Sequence, residues 1–231
     1  MIGPSTDYIA EFTEFPTTDF ANSALVIIDM QFATGARDGA LGRRFLGSED
    51  GRAKLSYRFD RIDSHVLPNT RRLLEHFRDR GGRVIHVKIG AQRPDAADAP
   101  AHMRKLFREL GNHVGSPEHE IVPSLAPLDG EPVLRKTTNG AFASTGIDSL
   151  LRALNVAHLY LTGVSTNMCV ETTAREAADR GYAVTLVEDA CGATDPDLHR
   201  NTMVNFQRLF GRVLSTSKVL AEHSEEDALN V

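Results

Sequence analysis

The chain has 231 residues, two cysteines, 41% hydrophobic residues and a formal net charge of −5. That length can bury a full core without disulfide or metal staples, and the acidic balance argues against a surface for nucleic acid or anionic membrane. No apolar run approaches the roughly 20 residues that span a bilayer.

Residues 1–22 carry no sustained periodicity and are expected to form an N-terminal extension lying over the body or over a neighbouring subunit. Asp7, Glu11, Glu14 and Asp19 precede Phe20 with no Lys or Arg among them. This predicts neither a signal peptide nor a transit peptide, and so a cytoplasmic protein. Ala24-Leu25-Val26-Ile27-Ile28 reads as a strand covered on both faces. The stretch 33–58, rich in Gly and Arg, reads as a long excursion, a candidate lid. A helix follows over about 60–80, with Pro68 as its start or kink and Gly81-Gly82 as its stop. Residues 83–89 form a second strand, and 101–110 one short amphipathic helix in an otherwise Pro-, Ala- and Gly-rich segment.

Residues 132–135 are a third strand and 145–154 a helix that Ser144 or Thr145 can cap. A fourth strand at 158–162 turns through 163–167 into a helix over 168–180, and 182–187 is the fifth strand. Asp195-Pro196 reads as an N-cap with proline in the first turn of a helix ending at Phe210. A last strand at 212–214 and a short helix at 217–222 complete a single α/β domain over 23–222, leaving a tail at 223–231. Strands alternating with helices imply a parallel sheet with helices on both faces, a three-layer, Rossmann-like arrangement.

Ligands of such sheets bind beyond the carboxyl ends of the strands. Three reactive side chains stand there: Asp29 after the first strand, Lys136 after the third, and Cys169 past the turn after the fourth. Cys169 also falls at a helix start, where backbone N–H groups favour a thiolate. A buried structural cysteine and two solubilising charges are the bland alternative. Cys169 and Cys191 lie in separate turns, a poor basis for a disulfide framework.

The segments Val26-Ile27-Ile28-Asp29-Met30-Gln31, Lys136-Thr137-Thr138-Asn139-Gly140-Ala141-Phe142 and Thr162-Gly163-Val164-Ser165-Thr166-Asn167-Met168-Cys169-Val170 together resemble the isochorismatase-like cysteine hydrolase family. The resemblance covers roughly residues 22–221 and includes Glu188-Asp189-Ala190-Cys191-Gly192-Ala193-Thr194. It implies a six-stranded parallel sheet, an Asp29-Lys136-Cys169 triad, a cis peptide between Val164 and Ser165, and an oxyanion hole from the N–H groups of Met168 and Cys169. It further implies nucleophilic attack by Cys169, a thioester intermediate and release of ammonia. In that mechanism Lys136 and the helix end favour the thiolate, while Asp29 carries the proton.

The cysteine favours amide substrates over the vinyl ether of isochorismatases proper. His86-Val87-Lys88-Ile89-Gly90-Ala91-Gln92-Arg93-Pro94-Asp95 lacks the Asp-x-His arrangement by which nicotinamidases hold a metal, so no metal or other cofactor is expected. His86 reads as a core histidine. Gln92-Arg93-Pro94-Asp95 and Asn205-Phe206-Gln207 with Phe210-Gly211 look most like biuret and related ureido hydrolases. Gln207 and Phe32 are accordingly candidates to touch substrate, as are Asn139, Asn167 and Glu171, with Arg93 for any carboxylate. Four of these have an ordinary alternative: Gln207 a solvent-facing helix residue, Phe32 core, Asn167 a turn stabiliser, Glu171 a partner for nearby arginines. The implied activity is a cysteine amidohydrolase of a small biuret-, triuret- or ureidoacrylate-like compound, with no nucleic-acid or membrane partner, assembled as a homo-oligomer (dimer or tetramer). A carboxamide hydrolase of the N-carbamoylsarcosine or nicotinamide type, and a non-catalytic binding member, remain the alternatives.

Overall fold

The run Ser23–Ile28 (β1) lacks polar alternation because both its faces are covered, and all six residues are buried. Ala24, Val26 and Ile28 join one core cluster, Leu25 and Ile27 another, as the period of two requires for a strand at the middle of three layers. The computed structural model, which describes residues 8–16 and 19–229, adds β2 (Arg83–Ile89), β3 (Val133–Lys136), β4 (His158–Val164), β5 (Ala183–Gly192) and β6 (Arg212–Leu214). Their order is β3-β2-β1-β4-β5-β6, with every pair parallel. This is the α/β sheet expected from the sequence. The chain steps outward from β1 to β3, then returns to lay β4 on the other side of β1. The order therefore reverses between β1 and β4, and the crevice beyond their carboxyl ends is where such sheets take ligands.

The expected excursion at 33–58 is instead mostly helical: α1 (Phe32–Gly35), α2 (Ala40–Phe45) and α3 (Glu49–Arg61). Ser48 starts α3, its Oγ accepting from Gly51 N at 3.1 Å, and Glu49 and Asp50 occupy the first turn beside the positive dipole end. The α3 helix widens through a π-type turn over Ile62–Val66 into α4 (Leu67–Asp79). Pro68 has no N–H to give a carbonyl one turn back, and the widening directly precedes it.

Beyond β2, α5 (Ala101–Leu110) ends at Gly111 with φ +59°, the left-handed stop that glycine tolerates best. α6 (Ile147–Ala153) starts two residues later than expected. Gly146 is its cap position, and Thr145 Oγ1 reaches over it to accept from Ile147 N at 3.1 Å. α7 (Glu171–Ala178) and α8 (Pro196–Leu209) follow, the latter capped as read: Asp195 Oδ1 accepts from Asp197 N and Leu198 N at 2.8 and 3.2 Å. α9 (Thr216–Leu229) runs past the expected end at 222.

One face of the sheet packs Met103 and Phe107 of α5, Ile147 and Leu151 of α6, Ala174 of α7 and Phe206 of α8. The other packs Phe59 of α3, Leu73 and Phe77 of α4 and Val219 of α9. His86 sits in this interior, almost fully buried, with Nε2 3.1 Å from Glu131 Oε2. Before β1, Thr13 Oγ1 donates to Ile9 O at 2.8 Å and to Arg208 O of α8 at 3.4 Å. Of the expected extension and tail, residues 1–7, 17–18 and 230–231 lie outside the described residues. Among the described residues no helix is long and apolar enough to cross a membrane.

Candidate active site

Asp29 follows β1 directly and adopts φ +56°, a left-handed conformation that aspartate accepts more readily than most residues. Its N–H donates to Val87 O at 2.9 Å, fixing it to the end of β2. Across the crevice Ile28 is in register with Gly163 of β4. Gly163 has φ +113°, and a Cβ there would lie 2.0 Å from Ile28 O, so only glycine lets the two strand ends close together. The next peptide, Val164–Ser165, is cis.

Lys136 is the last residue of β3 and is wholly buried, one position earlier in the architecture than the sequence suggested. Its Nζ donates to Asp29 Oδ2 at 2.8 Å and to Thr138 O at 3.1 Å. Ser144, read as a possible helix cap, pins this loop instead: its Oγ accepts from Thr137 N at 3.1 Å and pairs with Thr138 Oγ1 at 2.7 Å. Cys169 lies in a π-type turn, Thr166–Val170, that leads into α7; it is 7% exposed and its Sγ lies 3.8 Å from Asn139 Oδ1. The Cys169 thiol lies within reach of the charges of both Asp29 and Lys136. Residues 107 and 33 positions apart in the chain thus meet at one rim of the sheet.

Burial raises the Asp29 carboxyl above its ordinary range, although Lys136 pulls the other way. Its Oδ1 is buried and has no hydrogen-bond partner, leaving lone pairs that can take a proton. The Lys136 ammonium stays charged: desolvation is the largest single influence and pulls it down, but Asp29 and Cys169 together outweigh it. Cys169 departs from the sequence reading. Burial first, and the Asp29 charge second, push its thiol up to about 12 against the pull of Lys136. At rest it is a neutral thiol, so the proton must leave as sulfur attacks, and Asp29 Oδ1 is the acceptor the geometry offers.

The cleft above these groups is lined by Asp29, Asn139, Met168 and Cys169, with Thr34, Arg58, Asn112 and Ser165 and the apolar side chains of Ile89, Met103, Phe107 and Leu110. Of the expected substrate contacts only Asn139 is there. Phe32 opens α1 outside the cleft wall, and half-buried Asn167 stays in the turn. Glu171 is held by Arg175, Nη2 to Oε1 at 2.7 Å, and by Thr202 Oγ1 at 2.7 Å. Gln207 sits on α8 with its Oε1 buried, away from the cleft. Arg93 is two-thirds exposed and bound to Asp95 at 2.8 Å. The Met168 N–H, expected in the oxyanion hole, donates to Ser165 O at 3.0 Å. That leaves the Cys169 N–H as the remaining donor of the expected pair.

The sequence reading missed Arg58. It is 3% exposed, with Nε and Nη2 donating to Thr34 O at 3.2 and 2.9 Å and Nη1 donating to Ser165 Oγ at 2.7 Å. Gly51, Leu55, Phe59 and Ile62 share the buried face of that helical stretch. A charge at spacing that calls for an apolar residue was the available signal, hidden by the expectation of a loop.

Among the described residues no group of three or more His, Cys, Asp or Glu is placed to hold a metal ion. Residues 23–218 match the model of the isochorismatase domain. A ureidoacrylate amidohydrolase RutB of Yersinia enterocolitica is 30% identical over 214 residues, 86% of each chain. The RutB of Cronobacter sakazakii is 37% identical over 206 residues, 83% of this chain and 84% of its own. A cysteine hydrolase crystal structure from Pseudomonas syringae pv. phaseolicola superposes with a TM-score of 0.73 at 23% identity, over 90% of this chain and 95% of that one, a likeness of fold.

Proposed function

Because the chain belongs to the isochorismatase family, we propose that it is a cysteine amidohydrolase cleaving a C–N bond of a small ureido or carbamoyl amide. The observation that carries this reading is the meeting of a carboxylate with an unpartnered oxygen, its lysine counter-ion and a thiol at the switch point of the sheet. The ureidoacrylate amidohydrolases among its relatives support the ureido class.

Cys169 Sγ gives its proton to Asp29 as it adds to the substrate carbonyl, and the C=O pair moves onto oxygen. The Cys169 N–H is assigned to stabilise the tetrahedral oxyanion; one such donor contributes about 3–4 kcal/mol in other acyl-transfer enzymes. On collapse the C–N bond breaks, the departing nitrogen takes the proton from Asp29, and ammonia leaves. The acyl group remains on sulfur as a thioester, a thiocarbamate where the substrate is a urea. Water then gives a proton to Asp29 and attacks the carbonyl, and the expelled Cys169 sulfur takes that proton back. Lys136 holds Asp29 Oδ2 throughout, so that one oxygen alone exchanges the proton.

The test is an ammonia-release screen over biuret, triuret, allophanate, ureidoacrylate, N-carbamoylsarcosine and nicotinamide. Turnover of ureido compounds, abolished in Cys169→Ala at unchanged Tm, is expected. Nicotinamide turnover alone would assign the carboxamide reading instead, and undiminished kcat in Cys169→Ala would refute nucleophilic catalysis.

A further inference from the structure

Arg58 is used by none of the steps above, yet it is a buried guanidinium on the wall of the reaction cleft. A charge in that position is costly unless something compensates it. Among the described residues no carboxylate lies within ion-pair distance of it. Its three hydrogen bonds go to a carbonyl and a hydroxyl, both neutral. A guanidinium carries five N–H donors, so one on each terminal nitrogen is uncommitted.

The charges of Asp29 and Lys136 cancel in their 2.8 Å pair. That pairing leaves the Arg58 guanidinium, among the described residues, with no counter-ion of its own on the cleft lining. The same cleft is lined by Met103, Phe107 and Leu110, apolar side chains that suit a short carbon segment. Two uncommitted guanidinium donors and a nucleophile on the lining of one cleft suit a ligand with an anionic head and an acylating tail.

We propose that Arg58 binds the carboxylate of the substrate, so that the enzyme acts on ureido acids in preference to uncharged ureas such as biuret. The inference rests on the amidohydrolase reading and narrows it. It transfers the carboxylate-binding role from Arg93, which is committed to Asp95 outside the cleft, to a residue inside it.

The experiment compares 3-ureidopropanoate and 3-ureidoacrylate with their methyl esters, which keep the shape and lose the charge. The wild-type enzyme should prefer acid over ester in kcat/KM by about 10–100-fold, as expected for charge-assisted hydrogen bonds. Arg58→Gln should erase that preference, chiefly by raising KM for the acid, and leave the ester within a few-fold. Arg58→Lys should recover part of it. Equal use of acid and ester by the wild type would overturn the proposal. So would an Arg58→Gln enzyme slowed equally on both, with the pH profile of Cys169 alkylation displaced, since Arg58 would then be acting on the thiol.

Calorimetry separates this from failure of the wider reading. If neither compound is hydrolysed, binding of the acid but not the ester to Cys169→Ser still supports the role of Arg58. Absence of that binding refutes it. Because these comparisons use the native Arg58, they hold even if Arg58→Gln, which also loses the Thr34 and Ser165 contacts, does not fold.

Discussion

Replacing Lys136 by methionine keeps the side chain's length and removes its charge, stranding Asp29 in the interior. Both partners are 3% exposed or less at the side chain and lie 2.8 Å apart. Breaking one half of such a pair costs about 3–5 kcal/mol, because the survivor is left uncompensated. Unfolding entropy near about 2.1 cal/mol/K per residue gives roughly 0.5 kcal/mol/K for 231 residues, so Tm should fall by about 6–10 °C.

The loss should depend on pH. Asp29 is already raised by burial, and without Lys136 it rises further. A carboxyl raised in the folded state contributes its stability at low pH and loses it as pH climbs through the folded value. Lys136→Met should therefore be hurt more at pH 8 than at pH 5.5, where Asp29 can protonate. Thermal melts of Lys136→Met, Asp29→Asn and the double variant at the two pH values test this. The double variant should recover a large part of the loss, a coupling of at least about 1–3 kcal/mol. Strictly additive single losses, equal at both pH values, would refute the pairing.

Gly163→Ala should destabilise by more than about 3 kcal/mol or prevent folding, since its Cβ would collide with Ile28 O; a melt within 2 °C of wild type would contradict that geometry. Iodoacetamide should label Cys169 at a rate that follows ionisation of Asp29 and collapses in Asp29→Asn. Cys191, fully buried with its thiol toward Leu161 O at 3.6 Å, should stay unlabelled by peptide mapping. Burial, and in each case a nearby cation, holds His119 down at about 4 and His158 and His199 at about 3. All three are neutral when folded, so stability should fall as pH drops below about 6.5, by at most about 4 kcal/mol per unit while all three titrate only in the unfolded chain. Urea melts between pH 7 and 5 that show a flat midpoint would contradict this.

The sheet was legible because a strand covered on both faces is a run of apolar residues, as in Ser23–Ile28, and because Gly111 and Asp195 end and start helices by local chemistry. Asp29, Lys136 and Cys169 were legible because they stand at or just beyond strand ends, and parallel strands bring those ends together. Residues 33–58 were not. Their glycines and arginines resemble a loop, and only tertiary contact with the sheet turns Arg58 inward and makes α3 one wall of the cleft. The protonation of Cys169 was also out of reach, since helix-start position argues for a thiolate and only coordinates show how far burial opposes it. Gln207 and Glu171 lie off the cleft lining for a simpler reason: position along a helix does not say which neighbour a side chain finds, and Glu171 finds Arg175 and Thr202.

The central claim is that carbon becomes bonded to Cys169 sulfur during turnover. Acid quench of the enzyme with a ureido substrate, followed by mass spectrometry of the peptide containing Cys169, measures it directly. An adduct on that residue equal to the substrate less ammonia, formed and lost at rates compatible with kcat and absent in Cys169→Ala, is predicted. Ammonia release with no adduct at any time, from an enzyme whose Cys169→Ala variant still turns over, would contradict it.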